Sequence, residues 1–108
     1  MILTRLRPLA EVDLIERTRH YRLAGGADLG TRFFDKALAT LRTIEQAPGA
    51  GSPLIGELCA VPGLRSRRVP SFPCRWFYVV KASHIDIVRL LADAQDLTDI
   101  LGQLDTDD

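Results

Sequence analysis

Arginine is the residue type in this chain whose spacing most suggests chemistry. Between Gly63 and Arg89 lie Arg65, Arg67, Arg68, Arg75, Lys81 and Arg89, opposed only by Asp86. A guanidinium presents several donors in a rigid fork, which suits bidentate binding of carboxylates and phosphates. After Arg89 come Asp93, Asp96, Asp99, Asp105, Asp107 and Asp108, with no basic residue among them. The net charge of zero therefore conceals a basic segment followed by an acidic tail. Such asymmetry suits a surface that meets an acidic partner, with a solvated charged face as the plain alternative. A neutral total argues against strong non-specific binding to nucleic acid, so direct nucleic-acid binding is not expected.

Acid–base and nucleophilic chemistry have fewer candidates. His84 falls in an expected hairpin turn and His20 near the end of an expected helix, and both read as surface histidines. Tyr78 lies inside a strand pattern, where an aromatic ring is packing material. Cys59 and Cys74 fall in different expected loops, match no zinc-ligand spacing, and read as unpaired thiols of a reducing cytosol, with a disulfide as the alternative. The glycines between residues 48 and 63 lack the lysine and following helix of a phosphate-cradling loop. Asp13 and Asp86 read as local salt-bridge or turn partners. No catalytic residue, metal ligand or cofactor is expected from these positions.

The elements that must position the arginines follow from hydrophobic periodicity. With 108 residues, 46% of them hydrophobic and 26% charged, the composition is that of one globular domain spanning residues 1–108. No run approaches the roughly 20 apolar residues of a membrane span. Residues 1–7 alternate in polarity and lack the apolar core of a signal peptide, so the expectation is a cytoplasmic protein without membrane contact.

Residues 2–7 read as a strand with period two, broken by Pro8. Residues 9–23 read as a helix whose stripe is Leu9, Val12 and Ile15, extended by Thr18 and widened by Leu14 and Tyr21. The Gly25–Gly26 pair breaks the chain, and Asp28 is the expected N-cap of a second helix to Gln46. Two amphipathic helices joined by a short turn make an antiparallel hairpin. A glycine-rich loop follows over residues 48–63, then strands at 64–69, 75–81 and 85–91, then a short helix capped by Asp96. The order predicts an α+β fold, with the hairpin packed on a small, mainly antiparallel sheet. The second sheet face is expected to be partly open, with free strand edges and the arginines displayed upon it.

Four stretches carry a resemblance to the ParE/RelE toxin superfamily, closest to its ParE branch. They are Pro8-Leu9-Ala10-Glu11-Val12-Asp13-Leu14-Ile15; Arg32-Phe33-Phe34 with Ala37-Leu38, Pro48 and Gly51; Pro62-Gly63-Leu64-Arg65; and the run from Trp76-Phe77-Tyr78-Val79-Val80 through Ile85-Asp86-Ile87-Val88-Arg89-Leu90-Leu91 to Ala94-Gln95-Asp96-Leu97. The likeness covers nearly the whole chain and rests on order and spacing, since each piece alone is unspecific. Two positions depart from the pattern. Ala92 stands where members often have histidine, and Gln95 where they often have arginine.

The resemblance implies the toxin of a type II toxin–antitoxin pair. Such a protein would arrest growth by binding a target, DNA gyrase for a ParE-like member, and be neutralised by a cognate antitoxin. Arg65, Arg67, Arg68 and Arg89 would then contact target or antitoxin, with Trp76 either an apolar anchor or packed under the helical hairpin. The alternatives are a RelE-like ribosome-dependent mRNA endoribonuclease and a degenerate, non-toxic relative. Ala92 and Gln95 weaken the ribonuclease alternative, because they remove groups able to move a proton or hold a phosphate.

Overall fold

Pro8 occupies the first position of a long helix, where the N–H it lacks would have had no partner in any case. A computed structural model describes residues 2–104; Asp105, Asp107 and Asp108 of the acidic tail lie outside the described residues. The elements are β1 (Thr4–Leu6), α1 (Pro8–Gly25), α2 (Ala27–Gln46), a 3-10 turn (Pro48–Ala50), α3 (Leu54–Leu58), β2 (Leu64–Arg68), β3 (Cys74–Val80), β4 (Ile85–Ala92) and α4 (Leu97–Leu101). Gly26 alone separates the two long helices, at φ 92°, a backbone angle that a side chain would strain. It also occupies the N-cap of α2, so the expected Asp28 cap is not formed. Gly30 brings the helices together, because a Cβ there would lie 2.9 Å from the Arg22 Cβ.

The sheet order is β1-β4-β3-β2. β2, β3 and β4 form an antiparallel meander, and β1 joins it parallel to β4, Thr4 opposite Ile85 and Leu6 opposite Ile87. The predicted α+β architecture is therefore present: N-terminal strand, helical hairpin, mainly antiparallel sheet and short C-terminal helix. The register shifts at Phe77/Tyr78.

One core lies between hairpin and sheet, built from Ala10, Leu14, Phe33, Ala37 and Ile44 against Trp76, Tyr78, Ile87 and Leu90. The stripe expected to bury α1 is not the one that does. Leu9, Val12 and Ile15 are 58%, 45% and 66% exposed, whereas Ala10 and Leu14 are buried. α1 bears apolar residues on two opposite faces, and the face with the small Ala10 is turned toward the sheet, which allows a close approach.

Much of the second sheet face is covered as well, and only its Arg68 end keeps the partly open character expected from sequence. Residues expected to form an irregular loop contain α3, which closes over this face together with α4. Val61, Leu64, Phe77, Val88, Leu91 and Leu101 are buried there together. The strand edges are covered in part, at Ser66 of β2 and Thr4 of β1. Ser52 and Ser66 exchange two backbone hydrogen bonds of 2.9 Å on the outer side of β2. Beside them a Cβ at Gly56 would overlap the Leu64 carbonyl. On β1, the Thr4 N–H and hydroxyl donate to Glu45 of α2 at 2.7 and 2.9 Å. Capped edges resist indiscriminate strand pairing.

Candidate functional site

Alternation along β2 divides its arginines between the two sheet faces. Arg65 pairs across to Tyr78 and Arg67 to Trp76, so both lie on the hairpin side. Arg68 pairs with Arg75 on the other side, where Ser66 accepts a 3.4 Å hydrogen bond from the Arg75 guanidinium. Arg89 lies on β4, which β3 separates from β2. The single basic face expected from sequence is thus replaced by an edge strand with cations on both sides and a separate arginine elsewhere.

These arginines differ in what holds them. Arg65 donates to the Gly51 carbonyl at 2.8 Å, pinning the loop that the Tyr78 hydroxyl also anchors through the Pro48 carbonyl at 2.6 Å. Arg68 meets Asp93 at 3.0 Å across an exposed gap, a pair that solvent screens and that exchanges easily. Arg67 is half-buried and has no hydrogen bond or ion pair among the described residues. Arg67, Arg68 and Arg75 are therefore the cations best placed to meet an anionic partner. Beside Arg65, α3 and the start of β2 enclose a cavity of about 500 Å³ lined by Pro53, Glu57, Val61, Pro62 and Leu64. Its lining mixes apolar residues with the opposite charges of Glu57 and Arg65.

Of the two places expected for Trp76, the structure shows the one under the hairpin and not that of a surface anchor. The tryptophan is fully buried beneath the hairpin, and its indole N–H donates to the Ala37 carbonyl at 3.0 Å. Arg89 is likewise engaged within the fold. Its guanidinium donates to both oxygens of Asp13 at 2.7 and 2.8 Å, and the same carboxylate accepts the Leu90 N–H at 2.9 Å. The Asp13 bond raises the Arg89 pKa further. Asp86 pairs with Arg7 at 2.7 Å, so both aspartates pair across the fold and not locally as expected. Gln95 accepts the Ala92 N–H at 2.8 Å and an Arg17 bond at 3.5 Å, so this position serves to cap β4.

Beyond β1, the outer side of β4 thus receives side chains in place of a strand. They surround a polar hollow of about 290 Å³ that also holds Glu16 and His20. Sequence reading missed this grouping, because its members are some 80 positions apart and share no motif. His20 is exposed, with its ring edge against Tyr21, and His84 Nδ1 lies 3.0 Å from the Ser83 hydroxyl. Cys74 opens β3 and Cys59 follows α3, rather than both lying in loops, and both thiols are free. Burial pushes the Cys74 thiol up to about 11. Burial also raises the Tyr78 hydroxyl pKa. Among the described residues no cluster of three His, Cys, Asp or Glu side chains could hold a metal ion. None of the described helices is long and apolar enough to cross a membrane.

The order β1-β4-β3-β2 under an antiparallel helical hairpin defines an α+β fold that is also found among solved structures. A chain of the chromosomal ParDE TA system from P. aeruginosa superposes with a TM-score of 0.74 at 23% identity, covering 85% of this chain and 96% of that one. The two chains share a fold. No family model matches the sequence. No curated protein matches it either.

Proposed function

We propose that this chain is a single-domain, cytoplasmic, ParE-like toxin of a type II toxin–antitoxin system. It acts by binding a target, DNA gyrase, and a cognate antitoxin neutralises it. The observation that carries the reading is the near-complete superposition on a chain of a ParDE system, in which 96% of that chain is covered. The edge-strand cations agree with it. Arg67, Arg68 and Arg75 present charge at the β2 end of the sheet, where Ser66 is paired with Ser52, so these side chains help select the partner. An antitoxin segment with carboxylates would match Arg67 and Arg68.

The experiment is induced expression of the chain alone in bacteria, scoring growth, plasmid supercoiling and messenger RNA integrity. Arrest with disturbed supercoiling and intact message is the expected result. Cleaved message would transfer the protein to the ribosome-dependent ribonuclease class, and healthy growth at high soluble yield would refute toxicity. Arg67→Ala with Arg68→Ala is the informative variant, because neither side chain anchors the fold, and it is expected to relieve arrest. Arg65 and Arg89 are poorer probes, since alanine there releases Gly51 or Asp13.

A further inference from the structure

Asp13, Glu16, Arg17 and His20 recur along α1 at spacings of three and four, which puts all of them on one helix face. That face meets the outer side of β4, where Arg89, Leu90 and Gln95 complete the polar hollow of about 290 Å³. β4 carries an extra residue beside it, since Phe77 pairs with Arg89 but Tyr78 with Ile87. A bulge of this kind re-aims a neighbouring side chain, and such bulges gather at functional sites. The hollow lies apart from the β2 cations, because β3 stands between β4 and β2.

Internal pairing leaves this hollow with donors in excess. Both Asp13 oxygens are taken, by Nε and Nη2 of Arg89 and by the Leu90 N–H. The Gln95 side-chain oxygen is taken by the Ala92 N–H and by Arg17. Arg89 Nη1 and Gln95 Nε2 have no hydrogen bond among the described residues. No buried side-chain nitrogen or oxygen there lacks a partner, so both atoms reach solvent. Arg17 makes only its long 3.5 Å bond, and His20 is exposed. Against these donors stands one uncommitted acceptor, the exposed Glu16 carboxylate. The donors come from α1, from β4 and from the turn after it. A tetrahedral oxyanion presents an oxygen to each, which a planar carboxylate does not, and guanidinium groups suit it. The volume lies near the lower end for ligand pockets, so the ligand is small. We infer that the hollow binds a phosphate group, as the free ion or a small phosphomonoester, through Arg17, Arg89 Nη1 and Gln95 Nε2, with Glu16 limiting the affinity.

This inference does not depend on the toxin reading, and its test is separate from any growth assay. The intact chain is titrated with inorganic phosphate, glycerol phosphate and acetate, against chloride at matched ionic strength, while its amide resonances are followed by NMR. Saturable shifts at the Leu90 and Ala92 N–H are expected with both phosphates and not with chloride. Arg17→Gln is expected to weaken binding about threefold, and Glu16→Gln to tighten it about threefold. Circular dichroism checks that both variants remain folded; neither side chain anchors the fold. Tighter binding of glycerol phosphate would mark a phosphomonoester as the ligand, and tighter binding of inorganic phosphate the free ion; either supports the site. Shifts that chloride reproduces, or that do not saturate, would overturn the inference. Acetate binding as tightly as phosphate, or Glu16→Gln without tightening, would overturn it as well.

Discussion

Replacing Asp13 by alanine is the perturbation whose cost the structure defines most fully. One carboxylate accepts two guanidinium bonds from Arg89 and the Leu90 N–H, at 2.7 to 2.9 Å. The two side chains are only 12% and 19% exposed. Removing one partner of a fully buried pair costs about 3–5 kcal/mol, and an unsatisfied buried N–H about 1–3 kcal/mol. Residual solvent access at Arg89 and at the vacated site lowers the total, and about 3 kcal/mol is expected. A domain of this size has only about 5–15 kcal/mol in all. In urea, with a slope near 1.5 kcal/mol/M, the midpoint should fall by about 2 M with the slope unchanged. Asp13→Asn keeps an acceptor oxygen and should cost less, about 1–2 kcal/mol. A cycle with Arg89→Ala should show coupling of about 1–3 kcal/mol. A loss below about 0.5 kcal/mol for Asp13→Ala, or strict additivity in the cycle, would refute the view that this carboxylate closes the open side of β4.

Asp93→Ala, which breaks the exposed pair with Arg68, should change stability by no more than about 0.5 kcal/mol in the same titration. Gly51→Ala should destabilise by about 2–4 kcal/mol, because its Cβ would overlap the Tyr78 hydroxyl. Tyr78→Phe should recover part of that loss, and no recovery in the double variant would argue against this contact as the cause. Thiol labelling at neutral pH should modify half-buried Cys59 well before buried Cys74, and equal rates would contradict the packing. The Cys74 thiol ionises near 11 when folded and at its lower, ordinary value when unfolded. The unfolded chain therefore releases this proton first, and stability should decline as pH rises from about 9 to about 11. Cys74→Ala should flatten that part of a melting-temperature profile.

The elements that rest on one strong periodicity were legible from sequence. α2 carries Phe33, Ala37, Leu41 and Ile44 at helical spacing and buries them. The aromatic and β-branched runs became β3 and β4. α1 was legible as a helix but not in its orientation, because both of its faces are apolar and period alone does not rank them. α3 escaped notice because five residues give too little pattern, and its signal was the Gly56 contact with β2, a distant partner. The site was legible in part. The arginines were found by composition, but their distribution over two faces depends on pairing register, which no local pattern encodes. Trp76 resembled an anchor because its type is common at interfaces; its burial follows from its place in β3, beneath the hairpin.

The parallel pairing of β1 with β4 has a bearing on the order of events during synthesis. Thr4 meets Ile85 and Leu6 meets Ile87, so the first strand waits for almost the last one. At about 5–20 residues per second, several seconds pass between the appearance of β1 and that of its neighbour. The helical hairpin needs only local closure and forms within that interval, whereas the sheet must wait for β4. Arg7 and Asp13 are held over the same interval without Asp86 and Arg89, their later partners. A nascent chain thus carries the arginines of β2 before it has the sheet that fixes them, and the finished surface exists only once synthesis has passed β4.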